Sequence, residues 1–129
     1  MATIIKGDDM EIIGDIVKKK PKLDVDEQYP NMCNSFESIC EEMFELFKKK
    51  QADYGPTNIG MGNRTIDTDE DVQKSMIGLT VRMNDKIQRL MNLILDNRDP
   101  QNESVEDTLL DIANYAIMSK IVIDKDWGK

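Results

Sequence analysis

Thr108–Ile123 reads TLLDIANYAIMSKIVI, and this stretch decides the fold. Apolar residues occur on nearly every side of a 3.6-residue turn, so the segment is read as a helix buried around most of its circumference. With Ser104 as its start, the predicted helix runs to about Ile123. Asp111 is the only acid in the stretch, with Asp107 one turn earlier and Asn114 nearly one turn later. Together they make a polar stripe flanked by Leu110, Tyr115, Met118 and Ile121. A carboxylate in such surroundings is costly unless something positive compensates it. Two solutions stand open: a salt bridge to Arg82 or Arg89 of a neighbouring helix, or a metal ion.

Upstream, Asp99-Pro100 breaks the chain, and before it a long helix is predicted from Thr68 to about Asn97. Thr68 with Asp71 resembles a capping box, and Val72, Met76, Leu79, Met83, Ile87, Leu90 and Ile94 supply an inner seam. At 1.5 Å per residue this helix is about 45 Å long. Ile77, Val81, Met91, Leu93 and Leu95 widen its apolar face beyond what one neighbouring helix covers. An earlier helix is predicted from Asn34 or Ser35 to Lys50, with Phe36, Ile39, Cys40, Met43, Phe44 and Phe47 as one buried stripe. The loop Gln51–Asp67 holds three of the seven glycines, a backbone built for tight turns or close ligand approach. In residues 1–31, Asp8 or Asp9 could cap a short helix carrying Met10, Ile13, Ile16 and Val17, closed by Lys18-Lys19-Lys20 and Pro21. The expected organisation is an N-terminal arm (1–31) and an all-α helical bundle (32–129), completed by a second subunit in a homodimer or homotetramer.

Composition narrows the function. The formal charge of −8 argues against a DNA or RNA partner, whose phosphate backbone needs a cationic surface. An acidic protein still binds a single nucleotide when metal ions neutralise the phosphates. No run of about 18 apolar residues is present and no signal-peptide h-region is visible, so the expectation is a cytoplasmic protein (the host cytoplasm if phage-encoded) without a membrane partner. Cys33 and Cys40 are expected to be reduced, with Cys40 in the core and Cys33 at the surface or boundary. The chain has no histidine, which leaves zinc and haem sites almost without ligands and makes a di-iron site a poor fit.

Three further groups carry possible chemistry. Glu41, Glu42 and Glu45 fall at helical spacing on one side, where like charges repel by about 0.2–0.5 kcal/mol per pair. A divalent cation turns that repulsion into coordination, although such glutamates are also what a solvated face looks like. Arg82, Lys86 and Arg89 form a basic stripe on the long helix, suited to phosphate oxygens if it faces the acids. Around the Gln51 loop, Lys49, Tyr54 and Asn58 offer a cation, a flat ring for a base and an amide for its edge.

EExxE, K-x-x-x-DYG, R-x-x-DK-x-x-RL and ES-x-x-DTLLDIANYAIM, taken together over about residues 35–122, resemble the all-α nucleoside triphosphate pyrophosphohydrolases, the MazG-like and dimeric dUTPase superfamily. Within that group they are most similar to the phage and bacterial nucleotide modification associated domain. The resemblance implies a MazG-like bundle and magnesium (or manganese) held by ExxE, here Glu42 and Glu45, and by ExxD on a second helix. Asp111 matches the latter's Asp, while Thr108 stands where its Glu is expected, so Asp107 is the implied substitute. It further implies hydrolysis of a (deoxy)nucleoside triphosphate to the monophosphate and pyrophosphate, in nucleotide-pool control or DNA-base modification. Glu41 or Glu45 is then the expected general base. Lys49, Tyr54, Asn58, Arg82, Lys86, Arg89 and Asn114 are the expected substrate contacts. The alternative is a non-catalytic nucleotide-binding or protein-interaction module on the same fold.

Overall fold

A computed structural model describes residues 10–13 and 16–129. The fold class is all-α, with a short antiparallel ribbon as its exception. β1 (Met10–Ile13) pairs with β2 (Ile16–Lys19), in the register Met10↔Lys19 to Ile13↔Ile16. This replaces the short helix expected from Met10, Ile13, Ile16 and Val17. The residue types account for it: Ile12, Ile13, Ile16 and Val17 are β-branched and favour extended backbone over a short isolated helix. The expected cap at Asp8 or Asp9 lies outside the described residues.

The chain divides into two compact units, Met1–Cys40 and Glu41–Lys129. In the first, Asp24 caps α1 (Val25–Gln28) by accepting from the Glu27 N–H at 3.2 Å. α2 runs over Pro30–Tyr54, longer at both ends than the predicted helix. Proline suits a first helical turn because its missing N–H has no partner there. At the other end Gly55, with φ +70°, lets the chain leave the helix while its N–H bonds the Gln51 carbonyl. The expected buried stripe on α2 is not buried: Phe36 is 73% exposed, and Ile39 and Phe44 are exposed as well. Only Met43 of that stripe is buried and Phe47 partly so, while Cys40 and Cys33 are both half-buried.

In the second unit, a 3-10 turn (Pro56–Asn58) leads into the glycine-bearing loop, then α3 (Asp69–Leu95) and α4 (Val105–Ile123). Both long helices begin at the expected caps. Thr68 Oγ1 accepts from the Asp71 N–H at 3.1 Å, and Ser104 Oγ from the Asp107 N–H at 3.0 Å. α3 and α4 pack against each other. Ile59, Ile66, Leu79, Met118, Val122 and Trp127 form the buried cluster, with Phe47 and Tyr115 against it. Trp127, set among the charged residues Asp124, Lys125, Asp126 and Lys129, is a core residue. Its indole N–H donates to the Pro56 carbonyl at 2.9 Å, and its ring meets Phe47 edge-on at 6.0 Å.

Candidate functional site

Three helices and the 3-10 turn of the second unit enclose a cavity of about 330 Å³. Phe47, Lys50, Gln51 and Tyr54 recur at three- and four-residue steps, so α2 presents them on one face. The turn adds Asn58 and Ile59, α3 adds Arg82 and Lys86, and α4 adds Asp111, Asn114, Tyr115 and Met118. Glu103 enters from the segment before α4. In an acidic chain this lining holds one more cation than carboxylate.

Asp111 sits at the charged centre, with its side chain 12% exposed. Its Oδ1 accepts from Lys50 Nζ and its Oδ2 from Lys86 Nζ, each at 2.9 Å. Lys86 Nζ also donates to Glu103, at 2.8 Å to Oε2 and 3.1 Å to Oε1. Burial pushes the Asp111 carboxyl up, but hydrogen bonds and charge from Lys50 and Lys86 outweigh it and leave it below the usual carboxylate range. Burial likewise works against the Lys86 ammonium, and Glu103 with Asp111 outweigh it and raise its pKa. The cation that Asp111 needs is therefore supplied by two lysines and not by Arg82 or Arg89. Those arginines are engaged otherwise. Arg82 Nη2 donates to Asn58 Oδ1 at 3.1 Å, fixing the turn against α3. Arg89 donates to Thr108 Oγ1 and to the Glu103 carbonyl, bracing the chain behind the cavity. Asn114 Nδ2 reaches the Met43 carbonyl at 3.4 Å and so ties α4 to α2.

The structure thus brings together Tyr54, Asn58, Arg82, Lys86, Asp111 and Asn114 among the expected site residues. It does not bring Glu41, Glu42, Glu45, Lys49 or Asp107 to the lining; all five are exposed. Glu45 lies two residues before Phe47, about 160° round the helix from it, and pairs with Lys48 at 2.7 Å. Glu42, Glu45, Asp107 and Asp111 are not gathered into one cluster among the described residues. Lys50, Gln51 and Glu103 were missed. The step from Phe47 to Tyr54 selects Lys50 over Lys49 on helical geometry alone, whereas Glu103 opens the ES-x-x-D motif but its spacing gives it no role.

The cavity pairs cations and flat rings with amides and shielded carboxylates, a donor set matched to a small ligand with anionic and planar parts. No curated protein and no solved structure matches the chain. Residues 50–123, which carry every cavity residue except Phe47, match the family described as nucleotide modification associated domain 1. That match takes in more than half of the sequence, and the chain belongs to the nucleotide modification associated domain 1 family.

Proposed function

We propose that this chain is a magnesium-dependent pyrophosphohydrolase of a (deoxy)nucleoside triphosphate, related to the MazG-like enzymes and serving nucleotide-pool control or DNA-base modification. The observation that carries the reading is the Asp111–Lys50–Lys86–Glu103 set, placed beside Tyr54, Asn58 and Asn114 in one cavity of a nucleotide-associated family. Lys50, Lys86 and Arg82 take phosphate oxygens, and the rings of Tyr54 and Phe47 offer a surface for the base. Asp111 positions both lysines. An arriving phosphate that draws Lys86 toward itself frees Glu103 to accept a proton from water. The water oxygen attacks the α-phosphorus, the bond to the bridging oxygen breaks, and pyrophosphate leaves.

The donor chemistry fits a hard divalent ion: Asp111 and Glu103 already converge on one cation, through oxygen atoms alone. Asp111, with phosphate oxygens of the substrate, would hold magnesium or manganese in place of Glu42, Glu45 and Asp107 outside the cavity, and Glu103 keeps the part of base. When bound, the ion supplies charge neutralisation to the triphosphate and its leaving group.

A screen of common and modified nucleoside triphosphates for pyrophosphate release, with magnesium and with chelator, tests this reading. Release with at least one nucleotide is expected, falling at least about 100-fold in Asp111→Asn because both lysines lose their common anchor. No release from any nucleotide would overturn it. One observation favours a second reading, a module that binds nucleotide without cleaving it: both cavity carboxylates are already occupied by ammonium groups. Calorimetric binding of a nonhydrolysable nucleotide, with no release from the hydrolysable one, selects that reading.

A further inference from the structure

Glu103 stands in the irregular segment between α3 and α4, where no helical backbone fixes it. Side chains of the two helices hold it instead. Lys86 Nζ donates to both carboxylate oxygens, at 2.8 Å to Oε2 and 3.1 Å to Oε1. Arg89 donates to the Glu103 carbonyl. The hydroxyl of Thr108, a fully buried residue of α4, lies 3.1 Å from Oε1. Thr108 is outside the cavity lining and meets it only through Glu103.

A hydroxyl has one proton to give, and a guanidinium offers donors only, so toward Arg89 the Thr108 oxygen accepts. Two acceptors compete for the Thr108 proton, each at 3.1 Å: Glu103 Oε1 and the Ser104 carbonyl. The Ser104 carbonyl already accepts from the Thr108 N–H, also at 3.1 Å. A carboxylate oxygen makes the stronger bond, so the proton goes to Glu103. The two oxygens of Glu103 are then unequal. Oε1 is held by Thr108 and Lys86 together, while Oε2 has Lys86 as its one partner among the described residues. When a phosphate draws Lys86 away, Oε1 stays clamped and Oε2 opens. We infer that Thr108 is a positioning residue, which clamps Oε1 of Glu103 so that Oε2 takes the proton of the attacking water. The inference rests on the hydrolytic reading above, and adds which atom is the base and what aims it.

The test uses the nucleoside triphosphate that the wild type cleaves fastest, with magnesium present. It measures the kcat of pyrophosphate release, and the affinity for the same nucleotide in nonhydrolysable form. Thr108→Val keeps the volume and loses the proton; Thr108→Ser keeps the proton; Glu103→Gln removes the base. In Thr108→Val, kcat should fall at least about tenfold, because the base is no longer aimed. Affinity should stay within about twofold, since Thr108 does not touch the ligand, and Thr108→Ser should retain most of the wild-type kcat. Glu103→Gln should be slow by itself, and adding Thr108→Val to it should cost nothing more, because there is no base left to aim. If Thr108→Val does not fold, Thr108→Cys, a weak donor, carries the same comparisons. An unchanged kcat in the variant without the hydroxyl, or an active Glu103→Gln, would overturn the inference. So would equal losses with and without Glu103, a Thr108→Ser as slow as Thr108→Val, or an affinity that falls as far as kcat, since each marks a merely structural hydroxyl. If wild type releases pyrophosphate from no nucleotide, the hydrolytic reading falls and takes this inference with it, an outcome distinct from the others.

Discussion

Asp111 has an ordinary carboxyl chemistry and an unusual pair of neighbours, so its titration is set by Lys50 and Lys86. Its folded pKa lies below the unfolded value, so the stability it contributes is present above about pH 3.9 and is lost as pH falls through the folded pKa. Lys86 works in the opposite direction. Its folded pKa is raised, so its contribution is complete below about pH 10.4 and is lost as pH rises through the folded value. The melting temperature should therefore hold a plateau between about pH 5 and 9, with a steep acid limb that is flatter in Asp111→Asn. That substitution should cost about 1–3 kcal/mol at neutral pH by urea titration, because hydrogen bonds to charged groups are replaced by weaker ones. Glu45, Asp67 and Asp69 are also shifted down, by Lys48, Lys129 and Lys125, but they face solvent, which screens such pairs. Ser75 is fully buried in α3, and its hydroxyl has no partner among the described residues, so Ser75→Ala should raise the melting temperature.

At the level of elements, the helices whose ends are written in side chains were legible. Thr68 and Ser104 announce α3 and α4, and each caps as its residue type demands. Residues 10–19 were not, because Ile12-Ile13 and Ile16-Val17 satisfy a helical period and a strand equally over so short a span. α2 was legible as a helix but not in its burial, since periodicity names a face without naming what covers it. The heart of the site was hidden for a different reason: Lys50 and Asp111 are 61 residues apart, and no local pattern carries such a pairing. The segment after α4 shows the same limit, because Asp124-Lys125-Asp126 reads as a solvated tail around a tryptophan that is 4% exposed. Lys125 and Lys129 pair with Asp69 and Asp67 at 2.8 and 2.7 Å, flanking that tryptophan. Gly128, with φ +78°, passes so close to Arg64 that a Cβ would lie 1.9 Å from its carbonyl oxygen. Trp127→Ala should cost about 3–5 kcal/mol by denaturant titration. Gly128→Ala should also destabilise, through both the close approach and the positive φ.

For the molecule as a whole, the balance of covered and uncovered apolar surface points to assembly. Ile77, Val81, Ile87, Met91, Ile94 and Leu95 are all exposed, and at about 100° per residue they share one broad stripe along α3. A continuous apolar stripe of this kind is costly in a monomer, and a second copy presents the same stripe for it to meet. Light scattering at micromolar concentration should give a mass above the 14.8 kDa of one chain, and placing glutamate at Val81 and Met91 should return it to that value. A monomer at every concentration would remove the expected dimer or tetramer. The sole tryptophan has a different use. Trp127 hydrogen-bonds the first residue of the 3-10 turn that ends in Asn58, and it touches Phe47, another lining residue. Its ultraviolet emission is thus an optical gauge wired to the cavity wall, which reads ligand entry in the unlabelled protein with no second indole to blur the signal.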